Sequence, residues 1–230
     1  MRTKHLFVFS SLLCLGTFAV FTLPGFNTTP RALAASIAPS RSSSAISAAP
    51  GVTYTLFLPL ITKSCVNTQL LQDTGFEAGL PNAYWRTTSS QSSGILDNSS
   101  LPSPNPTHSG SWKAWLGRNN LVQESVWQAA TIPANTSALT LIFWRRIETS
   151  EPAPATFDSL QIQVRDSVSA TLQTAYTLYD LDATSTWVQQ TIAISPTYPS
   201  QAIQIAFIAA TDTSSPTNFF IDDVTLTACH

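Results

Sequence analysis

Along the chain, hydrophobic and polar residues alternate with a period of two in a series of short runs. In ALTLIFWRRIE, residues 138–148, Leu139, Leu141, Phe143 and Ile147 share one parity, and in DSLQIQVRD, residues 158–166, Leu160, Ile162 and Val164 do the same. Successive side chains of a strand point to opposite faces, so this alternation predicts half-buried β-strands. Runs of the same kind predict strands over 123–132, 172–179, 187–194, 203–209 and 219–227. Between them stand clusters of Ser, Thr, Pro, Asn and Asp, such as SEPAPATFDS and TDTSSPTN, whose side chains favour turns. No stretch carries a helical period of useful length, and no internal repeat is evident. About seven to nine strands from Cys65 onward predict an all-β domain of two packed antiparallel sheets, a sandwich or jelly roll.

The pattern changes toward the N-terminus. Arg2 and Lys4 precede an apolar run from His5 to Leu23, and the small-residue site Ala32-Leu33-Ala34 follows. That is the order of a secretory signal, so residues 1–34 are expected to be a signal peptide and the protein to be secreted, extracellular or at the cell surface. A run of about 20 apolar residues is also what a bilayer span requires, so contact with a membrane is expected only if the leader is retained. Cys14 is preceded by Leu13, where lipid attachment would need a small residue. Residues 35–52 are rich in Ala, Ser and Pro and read as a linker that extends to residue 64. It includes an apolar island, TYTLFLPLITKS, which is either an added edge strand or a sticky linker patch.

Composition narrows the classes of partner. Only 10% of residues are charged, the net charge is −2, and the leader takes three of the eleven basic residues with it. A mildly acidic domain without a basic run excludes nucleic acid and anionic lipid as expected partners. Cys65 and Cys229 flank nearly the whole putative domain. In an oxidising compartment a bridge between them would clasp its ends, and the alternative is two unrelated thiols.

The last run, TNFFIDDVTLTACH, sets two acids in an apolar strand. Parity places Phe220, Asp222, Val224 and Leu226 on one face and Asp223 on the other. An inward Asp222 carboxylate needs a cation or several hydrogen-bond donors, and an all-oxygen environment favours Ca²⁺. Glu77, in QDTGFEAG at the start of the domain, is a second candidate ligand.

The ordered set GFEAGLPNAYW, HSGSWKAWLG and FFIDDVTL resembles bacterial jelly-roll modules of the galactose-binding-like kind, which include carbohydrate-binding modules and MAM-like domains of secreted proteins. The resemblance spans residues 69–228. It implies a structural calcium tying the first strand to the last through Glu77 and Asp222, with backbone carbonyls near Ser111 completing the shell. In this chain DTGFE stands where such modules often have Asn-Gly-Gly before Phe-Glu, so Asp73 either joins the site or caps a turn. Without a cation, Asp222 would be a carboxylate held by backbone N–H groups or by an Arg.

Catalytic motifs are scarce. Beyond the leader the histidines are His108 and His230, and there is no GxSxG elbow, no HExxH helix and no Gly-rich phosphate loop. Acid pairs such as Glu148 and Asp166 could serve glycoside hydrolysis, but any exported domain offers such pairs. The chain is therefore read as a non-enzyme. The parity opposite the core carries Trp144 and Arg146 on one strand, Gln161, Gln163 and Arg165 on the next, and Gln204 on a later one. An aromatic plate beside amide and guanidinium donors suits sugar recognition, whereas the bland reading is an ordinary solvent face. The other tryptophans are expected in the core or at its rim. Carbohydrate and cell-surface protein are the two partners these observations and the resemblance leave open.

Overall fold

The computed structural model describes residues 65–99, 107–153 and 156–230, and the leader and linker expected over residues 1–64 lie outside the described residues. The strands, in chain order, are β1 (Asn67–Gln69), β2 (Arg86–Ser89), β3 (Leu96–Asp97), β4 (Lys113–Leu116), β5 (Gln123–Thr131), β6 (Ala138–Glu148), β7 (Ser159–Arg165), β8 (Thr171–Tyr179), β9 (Val188–Ile194), β10 (Ala202–Ala210) and β11 (Asn218–Cys229). A turn of 3-10 helix, Asp180–Asp182, follows β8. No helix among the described residues is long and apolar enough to cross a membrane.

All pairings are antiparallel. One sheet has the order β3-β4-β11-β6-β9 with β1 alongside β11, and the other has the order β2-β5-β10-β7-β8. From β5 onward the chain crosses between sheets at every connection except β7 to β8, which makes the sandwich a jelly roll. The alternation that marked β6 and β7 is the cause of this layering. Leu141, Phe143, Ile221 and Leu226 from the six-stranded sheet meet Val126, Ile162, Ile205 and Phe207 from the five-stranded one, all buried. The rings of Phe143 and Phe207 meet edge to face across the interface, 5.0 Å between centroids. Burying each such side chain stabilises the fold by about 1.5–3 kcal/mol.

Parity fails at one place in β11. A bulge between Asp222 and Thr225, with Asp223 at φ 47°, inserts an extra residue and resets the alternation. Phe219, Ile221, Val224 and Leu226 therefore enter the core, while Phe220 and Asp222 stand on the opposite face. This corrects the expectation that Asp222 shares the core face with Val224 and Leu226. Phe220 is still buried, because it packs against Trp115 of β4, 5.3 Å between ring centroids.

The ends of the domain are clasped twice. Val66 and His230 exchange both backbone hydrogen bonds (3.0 and 3.1 Å), extending the β1–β11 ladder, and beside it Cys65 and Cys229 form a disulfide. A bridge of this kind fits an oxidising compartment.

Candidate functional site

The Glu77 and Asp222 regions come together on the loop at residues 107–112. Asp222 is fully buried, and its Oδ2 accepts the backbone N–H groups of His108 (2.8 Å) and Ser109 (3.2 Å), while Oδ1 accepts that of Asp223 (2.8 Å). Desolvation pushes its carboxyl up to about 7, with the neighbouring Asp223 charge adding to the rise and the three N–H donors opposing it. Glu77 Oε1 accepts the N–H groups of Ser111 (2.8 Å) and Trp112 (2.9 Å). Ser111 thus turns its N–H, rather than its carbonyl, toward Glu77. The bulged Asp223 accepts from Ser109 Oγ (2.7 Å) and pairs with His108 Nδ1 (2.5 Å).

Gly75 sits at the centre of these acids. A methyl group built on it would lie 3.3 Å from Asp223 Oδ1, 3.8 Å from Asp222 Oδ1 and 3.6 Å from Glu77 Cγ. Gly110 stands against the Glu77 carboxylate closely enough that any side chain there would collide with it. Val224 N–H to Thr74 O (2.8 Å) ties the Gly75 loop to the bulge. Gly75 thus leaves room for Glu77, Asp222 and Asp223 to gather in a cradle, but their oxygens are held by N–H, hydroxyl and imidazole donors and do not converge as three ligand atoms on one point. Asp73 does not belong to the cradle. Its carboxylate accepts from Ala78 N–H (2.9 Å) and Asn82 Nδ2 (2.7 Å), and its carbonyl from the Trp85 indole (2.8 Å), so it caps the turn.

The six residues expected on one binding face are split between two. Trp144 and Arg146 lie on β6 in the six-stranded sheet, whereas Gln161, Gln163 and Arg165 on β7 and Gln204 on β10 lie in the other. Consecutive runs in the sequence belong to opposite layers, which alternation within a run does not reveal. Trp144, moreover, is not a bare plate: His108 stacks on it at 3.8 Å between centroids, with an interplanar angle of 15°. Arg146 pairs with Glu148 through Nη2 and Oε1, and the two border a shallow depression with Thr149, Ala183, Thr184 and Ser185.

On the five-stranded sheet the outward residues form a continuous polar surface around Trp127. Strand register sets Arg86, Trp127, Ala206, Gln163 and Thr174 side by side across all five strands, and the next row holds Ala129, Gln204, Arg165 and Thr171. Gln163 Nε2 donates to Gln161 Oε1 (2.7 Å), and Gln163 Oε1 accepts from Arg165 Nε (2.9 Å) and Thr171 Oγ1 (2.9 Å). Gln204 Oε1 accepts from Ser169 Oγ (3.2 Å). Trp127 is half-buried, with no ring contact and no acceptor for its indole N–H among the described residues. The expectation that it packs in the core or at its rim is therefore corrected: the residue that pairs with Ala206 on β10 faces outward.

A second acidic group was invisible in the sequence. Glu151, Asp158 and Asp212 each offer a carboxylate oxygen within 4.8 Å of the others, a set that could hold a metal ion. Desolvation and the neighbouring Asp212 and Asp158 push the Glu151 carboxyl upward. Asp158 itself is fully buried and already accepts the N–H groups of Asp212 (2.8 Å) and Thr217 (2.9 Å). Its members come from the turn segments SEPAPATFDS and TDTSSPTN, and no spacing in either signals that they meet.

No protein-family model and no curated protein matches the chain. Solved structures similar to it include the carbohydrate-binding module TmCBM61 in complex with β-1,4-galactotriose, 17% identical, covering 69% of this chain and 97% of that one, with a TM-score of 0.48. Another is from the carbohydrate-binding modules of the β-sandwich superfamily (14% identity, 66% and 60% coverage, TM-score 0.46). A third is the K3 adhesin domain of Lys-gingipain from Porphyromonas gingivalis W83 (17% identity, 70% and 98% coverage, TM-score 0.44). At these identities and scores the likeness says nothing about what this chain binds.

Proposed function

We propose that this chain is an exported, non-catalytic module that binds carbohydrate and carries a structural calcium ion. The observation that carries the reading is the outer face of the five-stranded sheet, where Trp127 stands half-exposed amid Gln161, Gln163 and Arg165, with Gln204 buried beneath them against the turn at Ser167 and Ser169. An indole covers the apolar C–H face of a sugar, and amide and guanidinium groups meet its hydroxyls. Of the six residues first expected on a binding face, the four on this sheet remain in the proposed site, and Trp127 takes the place of Trp144. Calcium would be held by Glu77 and Asp222 with Asp223 beside them, where it would supply charge neutralisation to a buried carboxylate. Asp73 and the Ser111 carbonyl are left out of the set.

The test is retention of the protein on a panel of immobilised glycans. Binding that is lost in Trp127→Ala while the melting temperature is kept supports the reading, and no binding to any glycan contradicts it. An adhesive, MAM-like role in contacting a cell-surface protein is the second reading. It is favoured by the edge strand β8 and the turn after it, where Leu172, Tyr176, Tyr179 and Leu181 are exposed. Self-association or capture of a surface protein, with no glycan bound, would support it.

A further inference from the structure

We infer that the outer face of the five-stranded sheet takes an acidic, uronate-bearing polysaccharide, with Trp127 under a sugar ring and Arg165 on a carboxylate. This rests on the carbohydrate-binding reading and narrows it by charge. The chain as a whole has more acids than bases, thirteen Asp and Glu against eleven Lys and Arg. On the strands of this sheet the balance is reversed. Arg86, Arg165 and Glu124 are the charged residues of β2, β5, β7, β8 and β10, and Glu124 is turned inward and buried, where it accepts from Ser89 Oγ (2.8 Å) and Gly117 N–H (2.8 Å). Arg86 pairs in register with the outward Trp127, and Arg165 with the outward Gln204. The face presented to solvent therefore carries two guanidinium groups and no carboxylate from its own strands. Asp166, next along the chain, spends its Oδ1 on the N–H groups of Val168 (2.9 Å) and Ala170 (2.8 Å) in the following turn.

Arg165 is held for a ligand. Its Nε donates to Gln163 Oε1 (2.9 Å), which fixes the plane of the guanidinium, and its two terminal amino groups have no acceptor among the described residues. Partial desolvation lowers its pKa with no acid nearby to offset the loss. Arg118, also desolvated, differs in that Asp97 and Glu124 compensate it. An oriented, uncompensated guanidinium is matched by a carboxylate, which it can meet with two parallel hydrogen bonds.

The spacing separates a sugar acid from denser polyanions. Arg86 and Gln163 end a row of four adjacent strands, roughly 14 Å across at about 4.8 Å per strand, with Trp127 and Ala206 between them. Ala206 is buried although it faces outward, so its methyl group floors a trough between the indole and the amide. Arg165 lies two residues beyond Gln163 on β7, about 7 Å further along the strand, so the two cations stand roughly 16 Å apart by backbone position and suit an extended chain with widely spaced charges and sugar rings between. Nucleic acid would call for a denser array of phosphate contacts.

The experiment is affinity electrophoresis of the full-length protein in gels containing a polyuronate, the same polymer with its carboxyl groups reduced to neutral sugar, a neutral polysaccharide, or polyphosphate. Retardation by the polyuronate is expected, weakened at least tenfold by carboxyl reduction, by Arg165→Gln and by Trp127→Ala. Arg165→Gln is a substitution at a half-exposed position that keeps the fold, so it decides the matter even if Trp127→Ala does not fold. Equal retardation by the carboxyl-reduced polymer would overturn the acidic specificity and leave the carbohydrate reading standing. Polyphosphate acting as strongly as polyuronate, with Trp127→Ala unaffected, would reduce the effect to charge alone and overturn the proposal. Retardation by no glycan would overturn both.

Discussion

Replacing Asp222 by asparagine should stabilise the protein in chelator and destabilise it in calcium. The Asp222 side chain is fully buried, and desolvation raises its carboxyl from 3.8 to about 7. The sign follows from which state binds the proton more tightly. Below the unfolded value both states are protonated and nothing is lost. As pH rises toward 7 the unfolded chain ionises while the folded one stays protonated, so stability falls, and above 7 the full cost is present. Three pKa units correspond to about 4 kcal/mol. Asparagine removes that cost, but sets an amide N–H₂ against the Asp223 N–H or the His108 and Ser109 donors, a loss of about 1–2 kcal/mol. The net gain at pH 8 in chelator is then about 2–3 kcal/mol, or roughly 5–10 °C in melting temperature for a domain of this size. A cation that binds the folded state at a thousandfold excess over Kd stabilises the wild type by about 4.1 kcal/mol and leaves the variant unchanged, so the order reverses. Differential scanning fluorimetry at pH 4 and pH 8, in chelator and in calcium, reads all four conditions. A variant that is less stable than wild type by the same margin in all of them would refute the reasoning. It would mean that the three N–H donors alone satisfy the carboxylate.

Other outcomes follow from the same structure. Reducing the Cys65–Cys229 bridge, which spans 164 residues of sequence, frees a long loop in the unfolded chain and should cost about 3–5 kcal/mol, read as a fall in melting temperature with reductant. Phe207→Ala, at the centre of the sandwich against Phe143, should cost about 3–5 kcal/mol in denaturant unfolding without changing which glycans bind. Lys113→Ala leaves the Asp97 carboxylate, bonded to Nζ at 2.8 Å, without its buried partner and should cost about 3–5 kcal/mol; Asp97→Asn in the same chain should recover part of that loss. Gly110→Ala should destabilise the loop at residues 107–112 and abolish any calcium response, because its methyl group occupies the space of the Glu77 carboxylate.

Long runs with clean alternation were legible: β5, β6, β7, β8, β9, β10 and β11 all lie where periodicity places them, within one or two residues at either end. Strands β1 to β3 were missed because they hold only two to four residues each, too few for a period to show. β4 shows no period either, since the aliphatic stem of Lys113 is buried and its ammonium meets Asp97 and the Ser99 carbonyl. The pairing of Glu77 and Asp222 regions could be anticipated from the resemblance of their motifs, but not the bulge at Asp223, which depends on a residue at positive φ that sequence parity does not mark. The division of the expected binding face was equally hidden. Which layer a strand joins is a property of the crossovers, and ALTLIFWRRIE and DSLQIQVRD look alike whether they are neighbours in one sheet or face each other across the core.

The carbohydrate-binding claim is met most directly by titrating soluble oligosaccharides into the full-length protein while following tryptophan fluorescence, with Trp127→Phe as the matched control. The account predicts a saturable change on addition of a glycan that binds, with that signal removed in the variant while binding persists in calorimetry through the remaining aromatic ring. A saturable signal of equal size in Trp127→Phe would place the sugar elsewhere on the molecule and contradict the assignment of the site to the five-stranded sheet.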